Sequence, residues 1–349
     1  MKKVIIGMSG GVDSSVAALL LKEQGFDVCG IFMKNWEEDD HCPADDDFDD
    51  VAAVCAQIGI PYYTVNFAKE YWENVFSRCL EDYKAGLTPN PDVLCNEEIK
   101  FKTFFNRAME MDADYFATGH YCQKMDVGPK LVRGSDETKD QSYFLHSIEG
   151  KTLEKVLFPI GNLNKSEIRA IAKKKGLINA EKKDSTGICF IGKRKFKEFI
   201  ERFIPKNTGF IEDIDGNVLG QHDGLAYYTL GQRKGLGIGG DGAAWFVAKK
   251  DIDRNVLVVV QGDDDPYLFT KSLKSIRPRW IHQAPEIGPY TAKIRYRQKD
   301  AVCKIEKITA DAVHVSFKSQ QKAVTPGQSI VFYDGPICLG GAVIEAPLD

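Results

Sequence analysis

Long apolar segments are absent from this 349-residue chain. It holds no run of about 18 apolar residues, the length that crosses a bilayer as a helix, so we expect no membrane partner and no membrane span. A charged and apolar leader pattern is also missing, because the chain goes straight into a strand pattern. With 43% hydrophobic and 28% charged residues, the composition predicts a globular protein of two or three domains.

Paired cysteine motifs are missing as well. The nine cysteines are an odd number, and none of them forms a C-x-x-C pair. This pattern predicts a reducing, cytoplasmic location, and it argues against structural zinc and iron–sulfur sites, so no metal ligand is assigned. Seven cysteines stand in apolar patterns or lack a companion motif, and we interpret them as structural thiols: Cys29, Cys42, Cys55, Cys79, Cys122, Cys303 and Cys338.

An excess of positive charge is also lacking, since the formal net charge is −4 at pH 7. Taken alone, this value argues against a nucleic-acid partner. The charges are unevenly distributed, however: residues 36–50 hold nine acids, and residues 271–307 hold ten Lys or Arg against three acids. Such sorting can give an acidic protein a basic face, although an ordinary solvated surface explains the charges equally well.

The chain does contain a glycine-rich motif, S-G-G-V-D-S, at residues 9–14. An apolar, β-branched segment precedes it and apolar residues at helical spacing follow it, which predicts a turn between a strand and a helix N-terminus. Backbone amides at such a turn bind anions, and Gly10 and Gly11 tolerate positive φ. The lysine of a Walker A loop is absent. The spacing instead resembles the PP-loop of enzymes that cut ATP between its α and β phosphates and adenylate a carbonyl oxygen.

Strand and helix patterns alternate over residues 1–120, which predicts an α/β fold with a doubly wound parallel sheet. A ligand of such a sheet binds at the carboxyl ends of the strands, where Ser9, Met33 and Gly119 are expected to converge.

Short strand patterns replace this alternation from about residue 208. They include a hairpin with its turn at Asp215 and Gly216 and a strand at 226–230. Further short strands between 290 and 345 predict a small barrel. We therefore expect three domains, which are a PP-loop domain resembling the adenine nucleotide alpha hydrolases, a small β-rich central domain and a C-terminal β-barrel, over residues 1–205, 206–270 and 271–349.

Two cysteines stand in a different setting from the other seven. The prolines before Cys95 argue against a helix there, and Asn96 is expected to cap the helix that follows. Cys95 would then lie just before a helix N-terminus, where the pKa of a thiol falls, and Asp92 is in reach as an acid or base. Cys189 lies in a glycine-flanked segment typical of a mobile loop that visits a second thiol. Each cysteine alone is more often structural, but the pair beside an adenylation motif favours sulfur transfer.

The chain closely resembles the tRNA-specific 2-thiouridylases, the MnmA/TrmU family, over its whole length. The motifs that carry this resemblance are more specific together than the PP-loop alone, and they lie at residues 7–15, 33–36, 89–101, 117–121, 139–145, 187–192, 230–240 and 295–297.

This resemblance implies a sulfurtransferase that adenylates O2 of the wobble uridine of certain tRNAs and replaces it with sulfur, giving 2-thiouridine, AMP and pyrophosphate. ATP and Mg²⁺ are the implied cofactors. The implied partners are a tRNA with a wobble uridine and a persulfide sulfur-donor protein, either a cysteine desulfurase or a sulfur-relay carrier. The implied ATP-binding residues are Gly7, Met8, Ser9, Gly10, Gly11, Val12, Asp13, Ser14, Met33 and Gly119.

The resemblance also implies roles for the two cysteines. Cys189 would carry the persulfide, Cys95 would be the nucleophile that closes a transient, catalytic Cys95–Cys189 disulfide, and Asp92 is the candidate acid or base. Asn90, Pro91 and Asp92 would contact the target base. The implied tRNA contacts are His120, Lys139, Asp140, Gln141, Arg295, Tyr296 and Gln328.

Two other functions stay open on the residues themselves. A PP-loop synthetase that adenylates a carboxylate and adds an amine would not need two reactive cysteines. An RNA-binding protein with ATP as a structural ligand would bind tRNA and release no pyrophosphate. Without the resemblance, His120 is also compatible with a satisfied strand-end histidine and Gln328 with an ordinary strand-start residue.

Overall fold

A parallel sheet with its helices forms the first part of the computed structural model, which describes residues 1–36, 44–125, 128–184 and 196–348. Two of its helices each consist of three consecutive segments, and the middle segment of each is π-helical. The strands and helices of this part are β1 (Lys3–Met8), α1 (Val12–Glu23), β2 (Asp27–Lys34), α2 (Ala44–Ile58), β3 (Tyr62–Asn66), α3 (Ala68–Tyr71, Trp72–Phe76 and Ser77–Lys84), α4 (Pro91–Leu94, Cys95–Phe104 and Phe105–Glu110), β4 (Tyr115–Ala117), β5 (Cys122–Lys124), β6 (Leu131–Arg133), α5 (Gly150–Glu154), β7 (Val156–Leu157) and α6 (Lys165–Lys174).

The sheet has the strand order β3-β2-β1-β4-β7, and every pair in it is parallel. Side chains of β1 alternate between its two faces, since Val4 and Ile6 pack in the core beneath α1, α2 and α6, whereas Ile5 packs beneath α3 and α4. Apolar residues on both faces of a strand require a layer of helices on each side. The doubly wound α/β fold expected from the sequence is therefore confirmed.

A four-stranded sheet follows, after α7 at Phe196–Ile200. Its strands are β8 (Gly209–Glu212), β9 (Val218–His222), β10 (Trp245–Asp251) and β11 (Val256–Gln261), in the order β10-β11-β8-β9. The predicted hairpin is confirmed, because β8 and β9 pair antiparallel around a turn in which Gly216 has φ +85°.

The prediction of a strand at 226–230 is wrong. Residues Leu225–Tyr227 form a 3₁₀ turn instead. Tyr227 and Tyr228 are both buried, and the Tyr227 hydroxyl donates a 2.6 Å hydrogen bond to the Ile204 carbonyl. Packing of these adjacent rings thus overrides the β preference of the segment.

Six strands close into a barrel at the C-terminal end of the described chain. They are β12 (Phe269–Trp280), β13 (Gly288–Lys293), β14 (Ala301–Ile308), β15 (Ala312–Lys322), β16 (Ser329–Asp334) and β17 (Ile337–Leu348). The order is β12-β15-β14-β13-β16-β17, and β12 also pairs with β17, which closes the ring. The predicted barrel is confirmed, although no sequence pattern predicted β12. That strand is irregular, with Arg277 at φ +53° and a register shift between Ile276 and Arg279.

The β5–β6 hairpin joins the first part of the chain to this barrel. Val132 of β6 pairs with Ile337 of β17. Beside this pair, the Arg133 guanidinium lies 3.6 Å from the centroid of the Tyr333 ring and donates a 2.8 Å hydrogen bond to Asp300. The hairpin therefore fixes the barrel against the parallel sheet. Within the described ranges, no helix is long and apolar enough to cross a membrane.

Candidate active site

The glycine turn lies between β1 and α1, as predicted. Gly10 has φ +71°, and Gly11 is the extended residue that precedes α1. Within the described part of the chain no side chain caps this helix, so the amides of its first turn are directed at the space above the sheet. Uncapped amides together with the helix dipole form a binding site for an anion.

Hydroxyl groups fix the shape of this turn from inside. The Ser14 Oγ donates to the Gly11 carbonyl at 3.1 Å and accepts from the Ser9 amide at 3.2 Å. The Asn179 side chain also donates to the Gly10 carbonyl at 3.0 Å. These bonds use carbonyl oxygens of the turn and leave the first amides of α1 available to a ligand.

Two glycines of the site have no room for a side chain. A Cβ on Gly10 would lie 2.6 Å from the Asp47 carbonyl oxygen, and a Cβ on Gly119 would lie 2.8 Å from the Ser14 amide nitrogen. Gly119 therefore follows β4 in close backbone contact with the start of α1. Met33 lies near the end of β2, half-buried, on the same edge of the sheet. The expected ATP-binding residues of β1, α1, β2 and the end of β4 thus meet at the carboxyl edge.

Asp13 is the charged residue of the turn, and the structure surrounds it with donors that the sequence did not indicate. The Lys165 ammonium lies 2.7 Å and 2.8 Å from its two carboxylate oxygens, and the Tyr121 hydroxyl donates to it at 2.7 Å. Burial raises the pKa of Tyr121, and its hydrogen bond to Asp13 raises it further. No local motif signals Lys165, which is 152 residues from Asp13.

Asp184 continues this network on the far side of Lys165. It accepts from Lys165 at 2.7 Å, from Lys139 at 2.7 Å and from Arg169 at 3.0 Å. Partial burial alone would raise the pKa of Asp184, but the hydrogen bonds from Lys139 and Lys165 outweigh it and lower the pKa to about 2. Lys139, an expected tRNA contact, is therefore held by this carboxylate.

Cys95 lies inside helix α4, which corrects the position expected from the sequence. The helix begins at Pro91, and Asn90 caps it, with its Oδ1 accepting from the Val93 amide at 3.3 Å. Proline is tolerated at the first helical position because the amide it lacks would have no helical partner there. Cys95 is thus the fifth residue of the helix, and Asn96 is not its cap. The helix dipole acts mainly within the first turn, so it does not provide the thiolate stabilisation that we expected.

The surroundings of Cys95 are apolar. Its side chain is 2% exposed and belongs to the same buried cluster as Cys79, Tyr83 and Ile99. The π-helical segment Cys95–Phe104 begins at this residue, and such segments are frequent at functional sites. Asp92 is half-buried one turn earlier in α4. Cys189, and with it the expected Cys95–Cys189 disulfide, lies outside the described residues.

Several expected tRNA contacts have internal partners. His120 is buried, its Nδ1 lies 2.8 Å from the Thr118 hydroxyl, and burial holds its pKa well below the usual range, so its ring is uncharged. Asp140 is buried and accepts from the amides of Gly134 and Ser142, both at 3.1 Å. Asp140 therefore shapes its own loop, and the charge that the sequence suggested for RNA contact does not face solvent.

The remaining expected contacts lie where the barrel meets the first part of the chain. The Tyr296 ring packs 4.3 Å from Phe144, and Arg295 donates to the Ala323 carbonyl at 3.0 Å. Burial lowers the pKa of Arg295. A cavity of about 450 Å³ opens beside them, and it is lined by Glu137, Thr138, Lys139, Asp140, Lys293, Tyr296, Arg297 and Gln298.

Two glutamine side chains form hydrogen bonds with backbone groups at this junction. The Gln141 Oε1 accepts from the Tyr121 amide at 2.9 Å. The Gln328 side chain donates to the carbonyls of Thr88 and Pro89 at 2.8 Å and 3.2 Å. Gln328 therefore holds the segment that leads into Asn90 and α4 from the barrel side.

Three family models match the chain in succession. They are the tRNA methyl transferase HUP domain at residues 2–193, the tRNA methyl transferase PRC-barrel domain at 197–261 and the aminomethyltransferase beta-barrel domain at 270–344.

Curated relatives match the chain from end to end. The tRNA-specific 2-thiouridylase MnmA of Halalkalibacterium halodurans is 55% identical and covers 98% of this chain and 94% of its own. That of Pseudomonas savastanoi pv. phaseolicola is also 55% identical, over 99% and 94%. The MnmA of Oceanobacillus iheyensis is 54% identical, over 98% and 95%. The chain belongs to the MnmA family of tRNA-specific 2-thiouridylases. The family models describe methyl transfer, but membership rests on these relatives.

The described residues of this MnmA family member contain no ready-made metal cluster. Among residues 1–36, 44–125, 128–184 and 196–348, no three His, Cys, Asp or Glu side chains group as metal ligands would. A magnesium ion that accompanies a nucleotide needs only one or two carboxylates beside the phosphate oxygens. Asp13 at the turn is suited to that part.

Proposed function

We propose that this protein is a tRNA-uridine 2-sulfurtransferase that converts the wobble uridine of tRNA to 2-thiouridine, with release of AMP and pyrophosphate. The observation that carries the proposal is the uncapped N-terminus of α1 at the glycine turn, with Gly119 in contact with it. An anion site at the carboxyl edge of a doubly wound sheet is where such a fold binds a nucleotide. The named activity of the full-length relatives supplies the substrate class.

In the first step, O2 of the uracil would attack the α-phosphorus of ATP, and pyrophosphate would leave. The amides of Gly10 and Gly11 and the first turn of α1 bind and orient the phosphates in this proposal. Met33 and Gly119 border the same edge and bind the rest of the nucleotide. Asp13 would hold a magnesium ion together with the phosphates, and that ion would supply positive charge to the leaving group.

In the second step, the outer sulfur of a persulfide on Cys189 bonds to C2 of the uracil and AMP leaves. Cys95 then attacks the Cys189 Sγ, the bond between the two persulfide sulfurs breaks with its electron pair on the 2-thiouridine, and the resulting transient disulfide is reduced afterwards. Asp92 serves as acid or base for these steps. Because Cys95 is 2% exposed in the free protein, we expect tRNA binding to open the start of α4 and expose the thiol.

The proposal also assigns the rest of the chain. Residues 1–205 would carry catalysis, 206–270 the central domain and 271–349 the tRNA-binding barrel, with the expected base and tRNA contacts between them. A persulfide carrier or cysteine desulfurase would load Cys189. The reactive thiols require a reducing compartment, the cytoplasm.

The test is to incubate the purified protein with unmodified tRNA, Mg·ATP and a sulfide source, and to assay the digested RNA for 2-thiouridine by mass spectrometry. We expect 2-thiouridine only when ATP is present, together with pyrophosphate. Asp13→Asn should abolish pyrophosphate release, whereas Asp264→Asn, on an exposed linker, should leave it unchanged.

Other outcomes would separate the alternatives. Thiolation without ATP would overturn the adenylation step. Pyrophosphate release that survives Cys95→Ser and yields an amide product would favour an amine-adding synthetase. Bound tRNA with neither product would favour an RNA-binding protein.

A further inference from the structure

Lys165 is the cation closest to the carboxylate of the glycine turn among the ion pairs of the described chain. Its ammonium forms 2.7 Å and 2.8 Å hydrogen bonds to Asp13 and a 2.7 Å ion pair to Asp184. The side chain is 13% exposed, so it reaches this place through the protein interior with its charged end at the site. Neither the sequence motifs nor the expected ATP contacts include it.

The backbone around Lys165 is fixed before any ligand arrives. Lys165 is the first residue of α6, and Asn164 caps the helix in a reciprocal pair with Glu167, whose carboxylate accepts from the Asn164 amide at 2.7 Å. The Lys165 amide donates to Asp136 at 3.0 Å. The lysine therefore stands on a rigid helix start that faces the start of α1.

The first turn of α1 and the ammonium group of Lys165, the first residue of α6, thus meet at the Asp13 carboxylate. A polyphosphate that binds the amides of Gly10 and the first turn of α1 arrives beside Asp13, and so beside the Lys165 ammonium that Asp13 holds. An ammonium group has three donors and can bridge a carboxylate and a phosphate. The positive charge is placed where the leaving group of an adenylation gains negative charge.

We propose that Lys165 is a catalytic residue that binds the pyrophosphate part of ATP and stabilises it as it leaves; this inference rests on the proposed function. In that reaction a bond forms between uracil O2 and the α-phosphorus. The bond from the α-phosphorus to the bridging oxygen breaks, and its electron pair stays on the pyrophosphate. Lys165 keeps its proton and donates hydrogen bonds to the pyrophosphate oxygens, while Asp13 and Asp184 keep the ammonium in place.

Arg169 provides a matched control for Lys165. It lies on α6 and forms a 3.0 Å ion pair with Asp184, the carboxylate that also pairs with Lys165. Its other hydrogen bonds go to the carbonyls of Ala180 and Lys182. A purely structural role for the network would make Lys165→Gln and Arg169→Gln behave alike. A role at the phosphates would separate them.

The experiment measures binding of inorganic pyrophosphate and of AMP, each with Mg²⁺, by titration calorimetry on wild type, Lys165→Gln, Lys165→Arg and Arg169→Gln. We expect Lys165→Gln to lose at least tenfold in pyrophosphate affinity and to keep its AMP affinity. Lys165→Arg should retain most of the pyrophosphate affinity, and Arg169→Gln should resemble wild type. With tRNA present, pyrophosphate release by Lys165→Gln should fall by about 100-fold to 1,000-fold, the usual loss for one donor to a developing charge.

Two outcomes would count against Lys165. Unchanged pyrophosphate affinity in Lys165→Gln would overturn the proposal. Equal losses for pyrophosphate and AMP would do the same, because they would indicate a displaced turn. If Lys165→Gln does not fold, Lys165→Met is measured in its place, and tenfold weaker pyrophosphate binding without a change for AMP would support the proposal. Wild type that binds pyrophosphate but releases none from ATP with tRNA would refute the proposed function and leave the binding role of Lys165 standing.

Discussion

Gly119 acts on the glycine turn by having no side chain. It lies against the backbone of α1, and a Cβ there would be 2.8 Å from the Ser14 amide nitrogen and 3.0 Å from the Asp13 carbonyl carbon. Backbone atoms of a helix start cannot move away as a flexible side chain can. The conformation of the turn therefore depends on this position being glycine.

We expect Gly119→Ala to weaken ATP binding at least tenfold, because the new methyl group would displace the amides that we propose bind the phosphates. The measurement is the dissociation constant of a fluorescent ATP analogue, with the melting temperature as a check on folding. Gly288→Ala is the control, since a Cβ there meets no atom within 4 Å. Equal affinities in wild type and Gly119→Ala would refute the prediction.

At the scale of elements, helix α4 carries Cys95 on a capped start. The Asn90 side chain accepts from the Val93 amide at 3.3 Å, and Pro91 follows as the first helical residue. The barrel holds the same segment, because the Thr88 amide donates to the Pro326 carbonyl at 2.9 Å and Gln328 donates to the carbonyls of Thr88 and Pro89. The position of Cys95 is thus determined jointly by a local cap and by a distant turn.

We expect Asn90→Ala to lower the free energy of unfolding by about 1 kcal/mol, because it removes the acceptor that satisfies a first-turn amide. Asn90→Asp keeps an acceptor oxygen and adds negative charge at the helix N-terminus, so it should retain the stability of the wild type. Urea denaturation of the three proteins measures both effects. A similar loss in Asn90→Asp would show that the cap does not account for the change.

At the scale of the whole molecule, His146 connects the part with the parallel sheet to the barrel. Its Nε2 lies 3.1 Å from the Ser329 hydroxyl of β16, and the side chain is buried. Burial lowers the pKa of His146 from 6.5 to about 4. Between these two values the unfolded chain binds a proton that the folded chain does not, so stability is complete above the unfolded pKa and falls as the pH falls.

We expect this histidine to cost on the order of 3 kcal/mol of folding free energy at pH 4 relative to pH 8, following its pKa difference. His146→Gln keeps a polar group near Ser329 and does not titrate, so its stability should fall less over the same range. Urea denaturation at pH 8, 6 and 4 measures the difference. Parallel pH curves for wild type and His146→Gln would exclude His146 as the source of acid sensitivity.

The sequence by itself determined the features that depend on neighbouring residues. The strand, the glycine turn and α1 follow from an apolar segment, Gly10 at positive φ and helical spacing, all within about twenty residues. The hairpin turn at Gly216 was determined in the same way. The doubly wound class and the barrel were also predictable, because repeated local patterns restrict the possible layers.

Tertiary structure decided whatever depends on distant residues. The barrel holds the segment before Pro91 through Gln328, and helix α4 begins at Pro91, which puts Cys95 inside the helix. Strand β12 was not recognisable, since its irregular part around Arg277 is stabilised by pairing with β15 and β17. Lys165 reaches Asp13 across 152 residues through the packing of two helix starts. No local pattern records such a contact, because the free energy that creates it comes from packing elements together.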